Sequence, residues 1–189
     1  MLGAFLCGLV LMFGVILVVT GHSPSPIGPA VAAVGGPFHL EDQNGKPVSD
    51  ADMKGRPFLV FFGFTHCPDV CPTTLFDISE VLKKLGKDAD RTGALFITVD
   101  PERDTPAALK DYLSSFDPHL RGLTGDPAAV ETALKAYRVF AKKVPLQGGD
   151  YTMDHTAVVY LMDKDGRFVA PFNLKRTPEA AADELRRYF

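Results

Sequence analysis

The stretch Phe61-Phe62-Gly63-Phe64-Thr65-His66-Cys67-Pro68-Asp69-Val70-Cys71-Pro72-Thr73-Thr74-Leu75 sets two cysteines four positions apart, each followed by proline. An apolar run over residues 58–62 leads into it. Leu75, Ile78, Leu82 and Leu85, with Val81 beside them, lead out at helical spacing. This pattern predicts a buried strand, a loop and an amphipathic helix. A residue before proline is pushed away from the α region, so Cys67 is expected to be extended. Proline suits the first helical position, which predicts Pro72 at the helix start and Cys71 in the capping slot.

Working outward, Thr105-Pro106, Asp126-Pro127 and Thr177-Pro178 each pair an oxygen-bearing cap with a following proline, a helix start signal. At Cys71 sulfur stands where those helices place oxygen. The helix terminus favours an anion, so a stabilised thiolate is expected at Cys71, opposed somewhat by Asp69. The competing reading is a pair of buried structural thiols or a static disulfide.

Upstream of this region, residues 2–19 contain no charged side chain. At roughly 1.5 Å per helical residue, such a segment just crosses a bilayer core. Residues 1–20 are therefore expected to be a membrane anchor. A cleaved signal peptide, with Ala30-Val31-Ala32 near its processing point, is the alternative. Cys7 lies inside the apolar segment and reads as a small lipid-facing residue. No Lys or Arg precedes Lys46, so charge bias does not orient the segment. Residues 21–36 are rich in Gly, Pro, Ser and Ala and read as a flexible tether. The simplest localisation is a bacterial inner membrane, crossed once, with the globular domain (37–189) in the periplasm. That compartment is oxidising, and a nearby thiol pair there needs a purpose. The net charge of -3 and the lack of a basic stripe give no reason to expect nucleic acid.

Within residues 37–189 the pattern is globular. Phe38-His39-Leu40 and Lys46-Pro47-Val48 flank an Asn44-Gly45 hairpin turn. Residues 52–55 read as a polar connection. Residues 94–99 form a second buried strand, completing a βαβ unit with parallel strands. Leu109, Tyr112, Leu113 and Phe116 stripe a second helix, and Val130, Ala133, Leu134 and Tyr137 a third. A short strand is expected near residues 120–123. Residues 142–150, polar and containing Gly148-Gly149, read as a mobile loop. Residues 157–162 and 168–172 predict an antiparallel hairpin, and residues 178–189 a closing helix. This order predicts an α/β, thioredoxin-like fold with a mixed central sheet and helices on both faces. Sites in such sheets gather at the carboxyl ends of the parallel strands. The Cys67 loop and Asp100-Pro101-Glu102-Arg103-Asp104 occupy two such ends and are expected to be neighbours.

His155, in Asp154-His155-Thr156, stands just before the strand at residue 157. His22 falls in the tether, His39 in a hairpin and His119 in a Pro-flanked loop. His66 adjoins Cys67 but points the other way if the chain is extended there. Asp154 is expected either to orient His155 or to cap a turn. Asp100, Glu102, Arg103 and Asp104 read as a salt-bridged turn and helix cap, ahead of a docking surface.

Three blocks in order then become recognisable. Gly63-Phe64-Thr65-His66-Cys67-Pro68-Asp69-Val70-Cys71-Pro72 resembles the signature of the Sco/SenC family, copper-handling proteins of cytochrome c oxidase assembly. Thr98-Val99-Asp100-Pro101-Glu102-Arg103-Asp104-Thr105 resembles the family's second block. Tyr151-Thr152-Met153-Asp154-His155-Thr156-Ala157-Val158-Val159-Tyr160 resembles its third, with Thr156 where serine is common. The resemblance runs from about Phe38 to the C-terminus and implies copper binding by Cys67, Cys71 and His155. The chemistry agrees, because soft thiolates select Cu(I) and imidazole suits either oxidation state. A structural zinc site would want four ligands, and no fourth is apparent.

Two functions compete. The first is a copper metallochaperone, monomeric, that takes copper from a donor protein and delivers it to the binuclear site of cytochrome c oxidase subunit II. The second is a thiol–disulfide reductase, with Cys67 and Cys71 as its redox-active pair, acting on the oxidase's copper-ligand cysteines. Thioredoxin-like reductases place two residues between their cysteines, whereas here there are three. A peroxiredoxin-type peroxidase wants Thr or Ser three positions before its cysteine; Phe64 and Pro68 stand there. A redox role has no use for His155, whereas copper does. The two leading roles are compatible, since copper binding requires reduced thiols.

Overall fold

A computed structural model of the protein describes residues 34–189. The expected anchor, Cys7, His22 and nearly all of the tether lie outside the described residues. No helix among the described residues is long and apolar enough to cross a membrane.

The fold grows from β3 (Phe58–Gly63) and β4 (Gly93–Thr98), in which every residue is buried. Strands covered on both sides read as continuous apolar runs, as these two do. They pair in parallel, Phe61 opposite Phe96, and β5 (Leu120–Thr124) adds a third parallel strand beyond β4. The hairpin of β1 (His39–Asp42) and β2 (Pro47–Ser49) extends the sheet past β5. On the other side β8 (Val159–Met162) runs antiparallel to β3, and β9 (Phe168–Pro171) follows it. The order β2-β1-β5-β4-β3-β8-β9 is the mixed sheet expected.

Phe61 and Phe62 point to opposite faces, and helical residues cover both. Tyr112, on α2 (Pro106–Leu113), packs against Phe96, the partner of Phe61, with ring centroids 5.9 Å apart. Tyr137, which ends α3 (Pro127–Ala136), packs against Phe62 at 5.3 Å. Helix α1 (Val70–Leu85) buries Leu75, Ile78, Val81, Leu82 and Leu85 and lies beside α4 (Pro178–Arg186).

Helices α2, α3 and α4 start as their sequences predict. The side chains of Thr105, Asp126 and Thr177 accept from the backbone N–H three residues on, and proline follows each cap. Helix α1 departs from expectation. It begins at Val70, with Asp69 in the capping slot, and the Asp69 carbonyl accepts from the Thr73 N–H at 3.2 Å. Cys71 is therefore inside the first turn rather than capping it. Pro72, third in the helix, lacks only an N–H that the first turn leaves unpaired in any case.

A second departure is residues 142–150. Instead of a mobile loop, β6 (Ala141–Pro145) pairs antiparallel with β7 (Tyr151–His155) as a separate two-stranded sheet, turning at Gln147–Gly149. Gly148 and Gly149, at φ 86° and 87°, supply the left-handed backbone of that turn. Strand β6 is mostly exposed, so it carries no buried alternation to announce itself.

Candidate metal centre

The site is assembled at the carboxyl end of β3. The chain leaves the sheet at Gly63 and turns back so that the Cys67 N–H donates to the Phe64 carbonyl at 3.2 Å. It enters α1 with Cys71 fully buried and Cys67 half-buried, both as free thiols. Gly63 makes this approach feasible. A β-carbon there would lie 2.8 Å from Cys71 Sγ and 2.6 Å from Cε2 of Phe96.

The capping function expected of Cys71 falls to its neighbour. The unpaired N–H of Cys71, in the first turn, donates to Cys67 Sγ at 3.4 Å. The expectation of a stabilised thiolate at Cys71 is overturned as well. Burial pushes its thiol well above the ordinary range; the Phe64 backbone hydrogen bond opposes this in part, and Cys67 and Asp104 add smaller upward contributions.

His155 ends β7 and turns inward, with Nε2 3.8 Å from Cys71 Sγ. Its Nδ1 lies 3.1 Å from the Thr156 carbonyl. A carbonyl only accepts, so this contact puts a proton on Nδ1 and leaves Nε2 as the ring nitrogen turned toward the Cys71 sulfur. The imidazole stands edge-on to Phe64, centroids 5.8 Å apart at 89°, with Phe61 at 6.5 Å. The sulfurs of Cys67 and Cys71 and a ring nitrogen of His155 all lie within 4.8 Å of one another. Two soft sulfurs and one imidazole nitrogen make a donor set for a soft, low-coordinate cation. Among the described residues, no other histidine, cysteine, aspartate or glutamate joins this group.

The remaining candidates sit elsewhere. His66 is exposed, its Nδ1 3.0 Å from the Thr65 hydroxyl. His39 lies in β1, and His119 bonds Asp117 and Asp90. Asp154 is exposed and neither orients His155 nor caps a turn; the Thr156 carbonyl holds the ring instead.

The second block is the expected neighbour and the expected ion-paired turn. Arg103 Nε donates to Asp100 at 2.5 Å, and Thr105 caps α2. Asp104 does more than join that turn. It is fully buried and accepts from the Thr65 hydroxyl and the Thr98 hydroxyl at 2.6 Å and from the Thr65 N–H at 3.1 Å. Burial raises its carboxyl above the usual range, against those hydrogen bonds. It thereby fixes the start of the cysteine loop to the end of β4. Acid and hydroxyl residues beside two strand ends are the only signal for this in the sequence, and they do not specify partners.

Comparison with known proteins places the arrangement. The family model described as SCO1/SenC matches residues 28–189. A SCO2-like protein of Rickettsia conorii is 39% identical over 81% of this chain and 76% of its own length. The mitochondrial SCO2 homolog of Mus musculus is 42% identical over 83% of this chain, which spans 63% of that relative. Among solved structures, copper-bound ScoI of Bradyrhizobium japonicum shares 69% identity, with a TM-score of 0.82 over 83% of this chain and all of that one. Copper-bound yeast Sco1 shares 39%, with a TM-score of 0.75 over 82% of this chain and 88% of its own. BsSco is described as having a disulfide switch and as a member of the Sco family of cytochrome c oxidase assembly proteins. It shares 27%, with a TM-score of 0.66 over 86% and 96% of the two chains.

Proposed function

The chain belongs to the SCO1/SenC family, and from that premise we propose that it is a copper metallochaperone of cytochrome c oxidase assembly. Copper is its cargo, held by Cys67 Sγ, Cys71 Sγ and His155 Nε2. It is received from a donor protein and delivered by a monomer to the binuclear copper site of oxidase subunit II. The observation that carries this reading is the convergence of those three ligand atoms within 4.8 Å, with Nδ1 of the imidazole turned to the Thr156 carbonyl and Nε2 to the Cys71 sulfur. Copper-bound relatives at 69% and 39% identity support it. Three ligands leave a coordination position through which a partner's donor atom enters before this chain's ligands leave. The half-buried Cys67 is the exposed side of that exchange.

His155→Ala tests the reading. Loss of even an outer partner of a metal ligand commonly costs about 10–100-fold in affinity, and loss of a ligand should cost at least as much. Competition with a copper chelator under reducing conditions should show that loss, while the dithiol potential stays near that of the unaltered protein. If the variant loses copper yet supports oxidase assembly in cells, the chaperone reading falls. The thiol–disulfide reductase then takes its place. That second reading rests on two adjacent free thiols and on the disulfide switch described for BsSco.

The same proposal places the globular part in the periplasm, held at the inner membrane by residues 1–20 through the tether. The uncharged run over residues 2–19 supports this. The protein should stay with membranes through a carbonate wash; a shortened soluble form in the periplasm would show instead that the segment is cleaved.

A further inference from the structure

His155 sits on a strand that no backbone ladder joins to the main sheet, because β6 and β7 pair only with each other. Shortly after His155 the chain enters β8, which fixes the C-terminal side of the ligand. The N-terminal side needs another tie, and Arg103 supplies it. Its Nη1 donates to the Tyr151 carbonyl at 2.9 Å and to Asp150 at 3.2 Å. Its guanidinium carbon lies 3.8 Å from the centroid of the Tyr151 ring. Asp100, with a fully buried side chain, accepts from Arg103 Nε through one oxygen and from the Tyr151 hydroxyl, at 2.8 Å, through the other. The three residues close a ring of charge-assisted bonds, the stronger kind of protein hydrogen bond. The guanidinium also lies 5.9 Å from the Phe64 ring, against which His155 stands edge-on. Arg103 therefore reaches the imidazole along the strand and through the ring.

We propose that Arg103 is a positioning residue of the copper site, clamping the start of β7 to the end of β4 so that His155 Nε2 is held beside the two sulfurs. Arg103 binds no metal itself, and the inference rests on the copper site proposed above. The guanidinium fork matters here, since it serves a carboxylate, a carbonyl and a ring face at once; an ammonium has no such shape.

The test uses the full chain with Arg103→Gln, Arg103→Lys, His155→Ala and the Arg103→Gln/His155→Ala double variant. Copper(I) affinity is read by chelator competition, the histidine by nitrogen coupling in the copper(II) paramagnetic spectrum, and the thiols by redox titration. Arg103→Gln should bind copper about 10–100-fold more weakly, as loss of a partner that orients a ligand does. Its nitrogen coupling should be weakened and its dithiol potential unchanged. Arg103→Lys should recover part of the affinity. The double variant should bind no more weakly than His155→Ala, because the clamp acts through His155. Unaltered affinity in both Arg103 variants overturns the inference, as does an Arg103→Gln loss that persists in full without His155. If Arg103→Gln does not fold, Arg103→Lys and Tyr151→Phe replace it in the same cycle, and the same two outcomes decide the matter. Failure of the copper site reads differently, because His155→Ala would then leave copper affinity unaltered in the parent protein.

Discussion

Alanine at position 63 should be felt at Cys71. Its β-carbon would meet Cys71 Sγ at 2.8 Å and the Phe96 ring at 2.6 Å, and both are wholly buried. Overpacking of this kind commonly costs about 1–3 kcal/mol. Gly63→Ala should lower the denaturation midpoint accordingly and weaken copper binding, since relief requires α1 or Phe96 to shift. Unchanged stability and affinity would mean the first turn of α1 has slack. The same turn marks the limit of what single residues disclose. The proline after Cys71 points to the first helical position, but proline is equally harmless anywhere in a turn whose N–H groups have no helical partner. Cys71 accordingly stands in the helix rather than at its cap, and there burial pushes its thiol up. The place of His155 beside the two cysteines, by contrast, is legible through the resemblance; which ring nitrogen faces the Thr156 carbonyl is not, because that contact leaves no mark in the sequence.

Among the elements, the apolar strands and the Pro-led helices are legible because burial and capping leave marks in the sequence itself. The β6–β7 hairpin is not, since its two strands are held by their own ladder and by side chains distant in the chain, such as Glu102 to Lys143 and Arg103 to Tyr151. The turn before β5 carries a pH dependence of its own. His119 Nδ1 bonds Asp117 at 2.7 Å and Nε2 faces Asp90 at 3.3 Å. The bond to Asp117 is the main cause raising its imidazole above the ordinary value, against a partial burial penalty. The protonated ring is thus favoured in the fold. Its contribution is fully present below the unfolded-state pKa of about 6.5, and is lost as pH rises through the higher folded value. Denaturation midpoints should therefore fall across that window in the parent protein and more shallowly in His119→Gln. Parallel profiles would dismiss the pair as solvent-screened.

At the scale of the whole molecule, a βαβ unit followed by helix and hairpin is enough to specify a mixed sheet. The place of the β1–β2 hairpin beside β5 is not specified, because edge order depends on which strand is left unpaired, and local pattern does not encode it. The two sulfurs are four residues apart, yet Cys71 and His155 are separated by 84 positions. A metal bound to all three is a cross-link that closes a long loop, and ligands that bind only the native chain stabilise it by mass action, about 2.7 kcal/mol at a hundred times Kd. Copper should therefore raise the melting temperature of the parent protein well beyond that of His155→Ala, in which the metal can join only near neighbours; equal increments would show that the long loop is not closed by the metal. Copper held by all three ligands is then also a staple, and the copper-free protein should be the form that a protease cuts first.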